Sequence, residues 1–239
     1  PARCAMRWKP ILANLMRFHR PKAAFKPMLT ALIDYESGNL HSAQKAFERM
    51  AADLHNEDVI VTSDPEVLRH ADRLVLPGDG AFPACKAALV EKTGLYEALL
   101  EAVEEDAKPF LGICVGMQMM ARFGHEYQTT PGLGWIAGDI RPIQPTDSSL
   151  KVPHMGWNDL VISGAHPVLA GLKTGDHAYF VHSYQFVLED MTQRLAHVDY
   201  DGEISAIVSS GTRIGMQFHP EKSQSTGLRL ISNFLNWRP

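Results

Sequence analysis

From Met28 to Phe123, short apolar runs alternate with stretches of helical spacing. No other feature restricts the fold of this chain as strongly. Met28-Leu-Thr-Ala-Leu-Ile-Asp34 reads as a buried strand, and 37–39 (Ser-Gly-Asn) as a turn. Leu40, Ala43, Phe47 and Met50 then recur at helical spacing. Val59-Ile60-Val61 is a second strand, followed by Asp64-Pro65, an N-cap with proline at the first helical position. Leu74-Val75-Leu76 is a third strand, ending in Pro77-Gly78-Asp79-Gly80. Helices are expected over 82–90 and 95–107, a fourth strand over 110–113, and a helix over 115–123. Strands that alternate with helices in this way form a parallel sheet covered on both faces.

The second half changes character. Segments 134–143, 157–162, 178–188, 194–200, 203–209 and 212–218 read as strands joined by Gly, Pro and Asp turns, before a last helix over 223–237. The expected class is α/β. It has three layers: an open, mostly parallel sheet, helices on both faces, and extra antiparallel strands in the C-terminal half. One mixed sheet is the simplest arrangement.

Charge divides the chain. Residues 1–27 hold seven of the 23 Lys/Arg and no acidic residue, leaving 16 basic against 27 acidic groups on 28–239, a formal net of −11. A body this acidic argues against phosphate-backbone binding, and no apolar run approaches a membrane span. Residues 1–27 read as a basic, poorly ordered extension ahead of a single domain over 28–239. The three cysteines, Cys4, Cys85 and Cys114, are widely spaced and form no Cys/His cluster. Neither a disulfide framework nor a zinc site is suggested. Reduced thiols in a cytoplasmic protein fit better, and no metal or cofactor is expected.

Gly112-Ile113-Cys114-Val115-Gly116 places a thiol between strand and helix inside a frame of glycines. This is the cysteine form of a nucleophile elbow. Glycines two residues to either side let strand and helix approach closely around a strained central residue. A helix N-terminus there favours the thiolate, and the Val115 N–H is placed to bind an oxyanion. A buried structural cysteine is the bland alternative. It suits Cys85 and Cys4, which lack such a frame. Cysteine nucleophiles also need a base. In Arg213-Ile-Gly-Met-Gln-Phe-His219-Pro220-Glu221, a histidine leaves a strand end with a carboxylate two residues on, able to hold the imidazole in one tautomer. The Pro77–Gly80 strand end can offer a second N–H to an oxyanion, a tight turn being the bland alternative. A phosphate loop is excluded there, because no GKS/GKT follows.

Together these residues resemble the class I, triad-type glutamine amidotransferases, which release ammonia from glutamine through a γ-glutamyl thioester. The likeness covers 28–239. It is nearest to the glutaminase subunits of imidazole glycerol phosphate synthase, through 33–39, Gly112–Gln118, Lys151-Val-Pro-His-Met-Gly-Trp-Asn158, Tyr179–Tyr184 and Phe218–Glu221. The resemblance implies that Cys114 is the nucleophile, His219 the base and acid, and Glu221 the orienting group. Gly80 and Val115 would supply the oxyanion N–H groups. Gln118, Glu126, His182, Ser183 and Tyr184 would bind L-glutamine. His154, Met155 and Trp157 would face a (β/α)8-barrel cyclase partner in a heterodimer. Two positions depart from the family: Glu36 where it usually has glycine, and Asp79 where it usually has valine. A carboxylate directed at Cys114 would disfavour the thiolate and repel an oxyanion, so Asp79 is expected to point away.

Overall fold

The computed structural model describes residues 26–36, 40–54 and 56–239. The readings of residues 1–25, Cys4 included, and of the 37–39 turn lie outside them.

The alternating half forms as expected: β1 (Met28–Ile33), α1 (Leu40–Ala52), β2 (Glu57–Thr62), α2 (Pro65–His70), β3 (Arg73–Gly78), α3 (Phe82–Glu91), α4 (Leu95–Leu100), β4 (Phe110–Cys114) and α5 (Val115–Gln118). Local chemistry sets several boundaries. Asp64 caps α2, its Oδ1 accepting from the Glu66 N–H at 2.9 Å, with Pro65 in the first turn. The helix expected over 95–107 runs as α4 and then one π turn, Glu101–Glu105, before Ala107 takes a positive φ of 52°.

Beyond it lie β5 (Phe123–Glu126), β6 (Gln128–Pro131), β7 (Gly138–Pro142), β8 (His154–Asp159), β9 (Val161–Ile162), β10 (His177–His182), β11 (Tyr184–Leu188), β12 (Arg194–Asp199), β13 (Glu203–Ser210), β14 (Arg213–Met216) and α6 (Gln224–Asn236). These strands do not all join one sheet. An eight-stranded sheet has the order β2-β1-β3-β4-β14-β13-β12-β9; β8 and β10 pair separately, and β11-β7-β5-β6 form a third sheet. The large sheet is parallel from β2 to β14 and antiparallel beyond.

Helices α1 and α6 pack together, as do α2 and α4. Strand β3 is buried along its whole length, and Leu74, Val75, Leu76, Phe110, Leu111, Ile214 and Met216 are sealed inside the sheet's layers. Each such side chain contributes about 1.5–3 kcal/mol relative to exposure. The three central strands β3, β4 and β14 run parallel, so their carboxyl ends open side by side. No helix among the described residues is long and apolar enough to cross a membrane.

Candidate active site

Cys114 ends β4 with φ 53° and ψ −111°, a strained conformation for a residue with a Cβ. Such a conformation costs on the order of 1–3 kcal/mol and persists only where its surroundings enforce it. Here the enforcement is steric. A Cβ on Gly116 would lie 1.8 Å from the Leu76 carbonyl oxygen, and one on Gly112 2.5 Å from the Gly116 oxygen. Only glycine lets the turn seat against β3 and fold back on β4. Helix α5 spans only Val115–Gln118, where the sequence suggested a helix to Phe123. The carbonyls of Met119, Met120 and Ala121 instead accept N–H groups from Leu133, Trp135 and Gly134. A single turn carries little macrodipole, so the thiolate's main support comes from elsewhere.

That support is His219. It follows β14, and its ring interacts with Cys114 on one side and is hydrogen-bonded through Nδ1 to Glu221 Oε1 at 2.9 Å on the other. Burial lowers the imidazole pKa, but the hydrogen bonds and charges of Cys114 and Glu221 outweigh it and lift the value to about 10. The ring is therefore an imidazolium at neutral pH, held between Cys114 and Glu221. Its backbone is also held: its N–H donates to the Tyr179 carbonyl at 3.2 Å, and its carbonyl accepts from Ser223 Oγ at 2.7 Å.

Cys114 opens onto a cavity of about 400 Å³. The same cavity is bordered by Gly80, Val115, Gln118, Glu126, His182, Ser183 and Tyr184, so eight of the sequence-predicted site residues meet in one place. His219 and Glu221 stand behind it, beside Pro77, Gly78 and Ile113. Glu126 is no solvated loop charge: it is buried at the end of β5, and its Oε2 caps α3 by accepting from the Phe82 N–H at 2.7 Å. Gln118 uses both amide hydrogens internally, toward Gln217 Oε1 at 3.0 Å and the Tyr184 carbonyl at 3.4 Å. What it offers the cavity is an acceptor oxygen.

The partner-facing candidates separate. Strand alternation turns Met155 and Trp157 outward, 62% and 48% exposed, and His154 inward. His154 is buried against Phe180 and Tyr200, so of the three interface candidates Met155 and Trp157 are the exposed ones.

The two departures from the family pattern also find physical accounts. Glu36 adopts φ 64°, the left-handed region that favours glycine. Its N–H is held by Asp34 Oδ1 at 3.0 Å and its carboxylate by Lys92 at 2.5 Å. Asp79 borders the cavity with Cys114 but is exposed, so water screens its charge.

Sequence reasoning missed Tyr35 and Gln217, and read Cys85 as structural without its partner. Tyr35 is fully buried and its hydroxyl donates to the Pro77 carbonyl at 2.7 Å. Cys85, read as structural, directs its thiol at the Asp79 carbonyl, 3.7 Å away. The two together hold the loop after β3 from either side of Gly78. Gln217 lies against Cys114, its Nε2 3.8 Å from Sγ. Its position two residues before His219 was the available signal.

Fold and residues together define a class. The family described as glutamine amidotransferase class-I matches residues 31–237, and the chain belongs to that family. Among solved structures, a Thermoplasma acidophilum protein described as belonging to a GMP synthase superposes with TM-score 0.64 at 18% identity, covering 88% of this chain and 93% of that one. A structure described as a glutamine amidotransferase gives 0.65 at 21%, covering 86% and 97%. At these identities the likeness is one of fold. Curated relatives are much nearer. The imidazole glycerol phosphate synthase subunit HisH of Ruegeria pomeroyi is 64% identical over 212 residues, 89% of this chain and 100% of that protein. The subunit of the same name from Cereibacter sphaeroides is 62% identical with the same coverage. Within the class, the chain is a member of the HisH family.

Proposed function

We propose that this chain hydrolyses L-glutamine to L-glutamate and ammonia as the glutaminase subunit of an imidazole glycerol phosphate synthase. The observation that carries the reading is the strained Cys114, coupled electrostatically to His219 and facing a cavity that Gln118 and Glu126 border. Glutamine enters with its α-amino group toward the Glu126 carboxylate and the Gln118 oxygen. The Cys114 thiolate attacks the γ-carboxamide carbon. The carbonyl becomes an oxyanion, received by the N–H groups of Val115 and Gly80. As the C–N bond breaks, the His219 imidazolium gives its proton to the leaving nitrogen, and ammonia departs from a γ-glutamyl thioester. His219, now neutral, takes a proton from water, which attacks the thioester. Glutamate leaves and the thiolate–imidazolium pair is restored. Glu221 holds the ring's Nδ1–H throughout.

The ammonia goes to a (β/α)8-barrel cyclase bound over the exposed Met155 and Trp157, in the cytoplasm, where thiols stay reduced. The catalytic unit in this reading is 28–239. Its length fits the 212-residue alignments that span the whole of the relatives.

The test is co-expression with a barrel cyclase. Glutamine-dependent synthesis is expected in the complex, and Cys114→Ala should abolish it while sparing synthesis from added ammonia. Hydrolysis of γ-glutamyl peptides or casein by the chain alone, faster than hydrolysis of glutamine in the complex, would instead make it a stand-alone hydrolase.

A further inference from the structure

Gln217 has no part in the reaction just described, yet it is fully buried and touches the nucleophile. Its Oε1 accepts from Gln118 Nε2 at 3.0 Å and its Nε2 reaches Cys114 Sγ at 3.8 Å. Turning this amide over would set a carbonyl oxygen against the sulfur and an N–H against an N–H, so its orientation is fixed by its neighbours. The network continues outward through the Tyr184 carbonyl. The Tyr184 carbonyl accepts from Gln118 and, at 2.8 Å, from His182 Nδ1. That leaves His182 Nε2 to accept from His154 Nδ1 at 3.0 Å, and His154 Nε2 to accept from Asn158 Nδ2 at 3.3 Å. The second Asn158 N–H goes to the Asp199 carbonyl at 3.0 Å. Two directional stretches therefore meet at the Tyr184 carbonyl: Asn158 to His154 to His182 runs into it from β8, which carries Met155 and Trp157, and Gln118 donates both to it and, through Gln217, toward the thiol. Burial pushes both histidines down to about 4, so they are neutral, as the first stretch requires.

We propose that Gln217 is a positioning residue for the nucleophile: its buried N–H holds the Cys114 thiolate in place while its carbonyl fixes the amide of Gln118. The proposal rests on the reading of Cys114 as the nucleophile. A hydrogen bond to a charged group is favourable beyond a neutral one, and a donor at the sulfur favours the thiolate over the thiol. A glutamine that only filled the core would affect stability alone. The other ionisable groups around the sulfur are His219 after β14, Asp79 after β3, Glu126 and Tyr127 at the β5–β6 turn, and His182 and Tyr184 at the β10–β11 junction. Changing Gln217 alters none of them chemically.

The experiment measures the rate at which iodoacetamide labels Cys114 in the full chain, from pH 5 to 9, with the labelled peptide identified by mass. Gln217→Met is expected to move the acid limb of the profile up by about one pH unit, so that labelling at its foot slows about tenfold. Gln217→Glu keeps size and shape but sets a carboxyl group at the sulfur, and should move the limb further. It also carries the test where Gln217→Met does not fold. In both variants kcat/KM for glutamine should fall with the labelling rate. A lowered melting temperature with an unmoved acid limb would overturn the proposal and leave Gln217 as packing. Full glutamine hydrolysis by Cys114→Ser would overturn it in a different way, by removing the nucleophile on which it rests.

Discussion

Replacing Glu221 by Gln isolates the charge that holds His219. Gln keeps an oxygen for the Nδ1–H at the same reach and removes only the negative charge. Both side chains are nearly sealed from water, at 6% and 4% exposure, so the interaction is little screened. The lift of His219 from its ordinary value of 6.5 to about 10 corresponds to a net stabilisation of the imidazolium on the order of 4–5 kcal/mol. That net already contains the opposing burial penalty, with Cys114 and Glu221 both acting against it; for Glu221 alone the expected loss is about 2 kcal/mol, the range for one hydrogen bond to a charged group. Two consequences follow. Turnover should fall about 30-fold, since each ~1.4 kcal/mol is tenfold in rate. The stability difference from wild type should also depend on pH. His219 is raised in the folded state, so its contribution is complete below pH 6.5 and disappears as pH rises through about 10. Urea unfolding should therefore show Glu221→Gln weaker by about 2 kcal/mol at pH 6, with the gap closing toward pH 10. A gap constant across that window, or kcat/KM changed less than threefold, would refute the assignment of Glu221 as the charge that holds the imidazolium.

Three further outcomes are expected. Gly116→Ala places a Cβ 1.8 Å from a backbone oxygen that cannot move aside. It should cost about 3 kcal/mol or more, lower the melting temperature by about 6–12 °C and abolish hydrolysis; calorimetry with wild-type melting would contradict the elbow geometry. Glu126→Gln retains an acceptor for the Phe82 N–H but loses the charge offered to the substrate ammonium, so KM for glutamine should rise about 10- to 100-fold with kcat little changed. Steady-state kinetics decide it, and an unchanged KM would remove Glu126 from the substrate site. Deleting residues 1–25, ahead of β1, should leave hydrolysis and melting temperature as in the full chain; a drop of several degrees would show that they contribute to the domain.

The sequence was legible where a local rule and the tertiary fold agree. Strands β1, β3 and β4 are covered on both faces, so they read as unbroken apolar runs. The Asp64 cap and the glycine frame of Cys114 are written in consecutive residues. Legibility fails where distant chain decides. Helix α5 stops early because residues 133–135 take its following carbonyls, which no pattern in 115–123 announces. The β5–β6 hairpin was not anticipated, because its strands are polar and its turn uses Tyr127 at φ 60° in place of glycine or asparagine. Segment 178–188 reads as one strand, yet Ser183 passes the chain from the β8–β10 pair to the β7–β11 pair. Gln217 sits between Met216 and Phe218, and Tyr35 between two acidic residues, and only the partners they meet in the fold give them meaning.

The spacing of the candidate catalytic groups is a property of the sheet before it is a property of the loops. Cys114 ends β4, which lies between β3 and β14, both parallel to it. Gly78 pairs with Cys114 across one interface, and Met216 pairs with Ile113 across the other. Neighbouring strands are about 4.8 Å apart. The loop that begins at Gly78 and the segment that leads to His219 therefore each lie one strand spacing from the thiol, on opposite sides. A thiolate, an oxyanion donor and an imidazolium can meet there without any loop reaching far. The antiparallel extension β13-β12-β9 then has a mechanical use: it gives β14 a second neighbour, so His219 hangs from an interior strand and not from an edge. The same placement explains why the strain at Cys114 is sustainable. The residue belongs to the most enclosed part of the sheet, where shifting β4 would break its pairing with both neighbours at once.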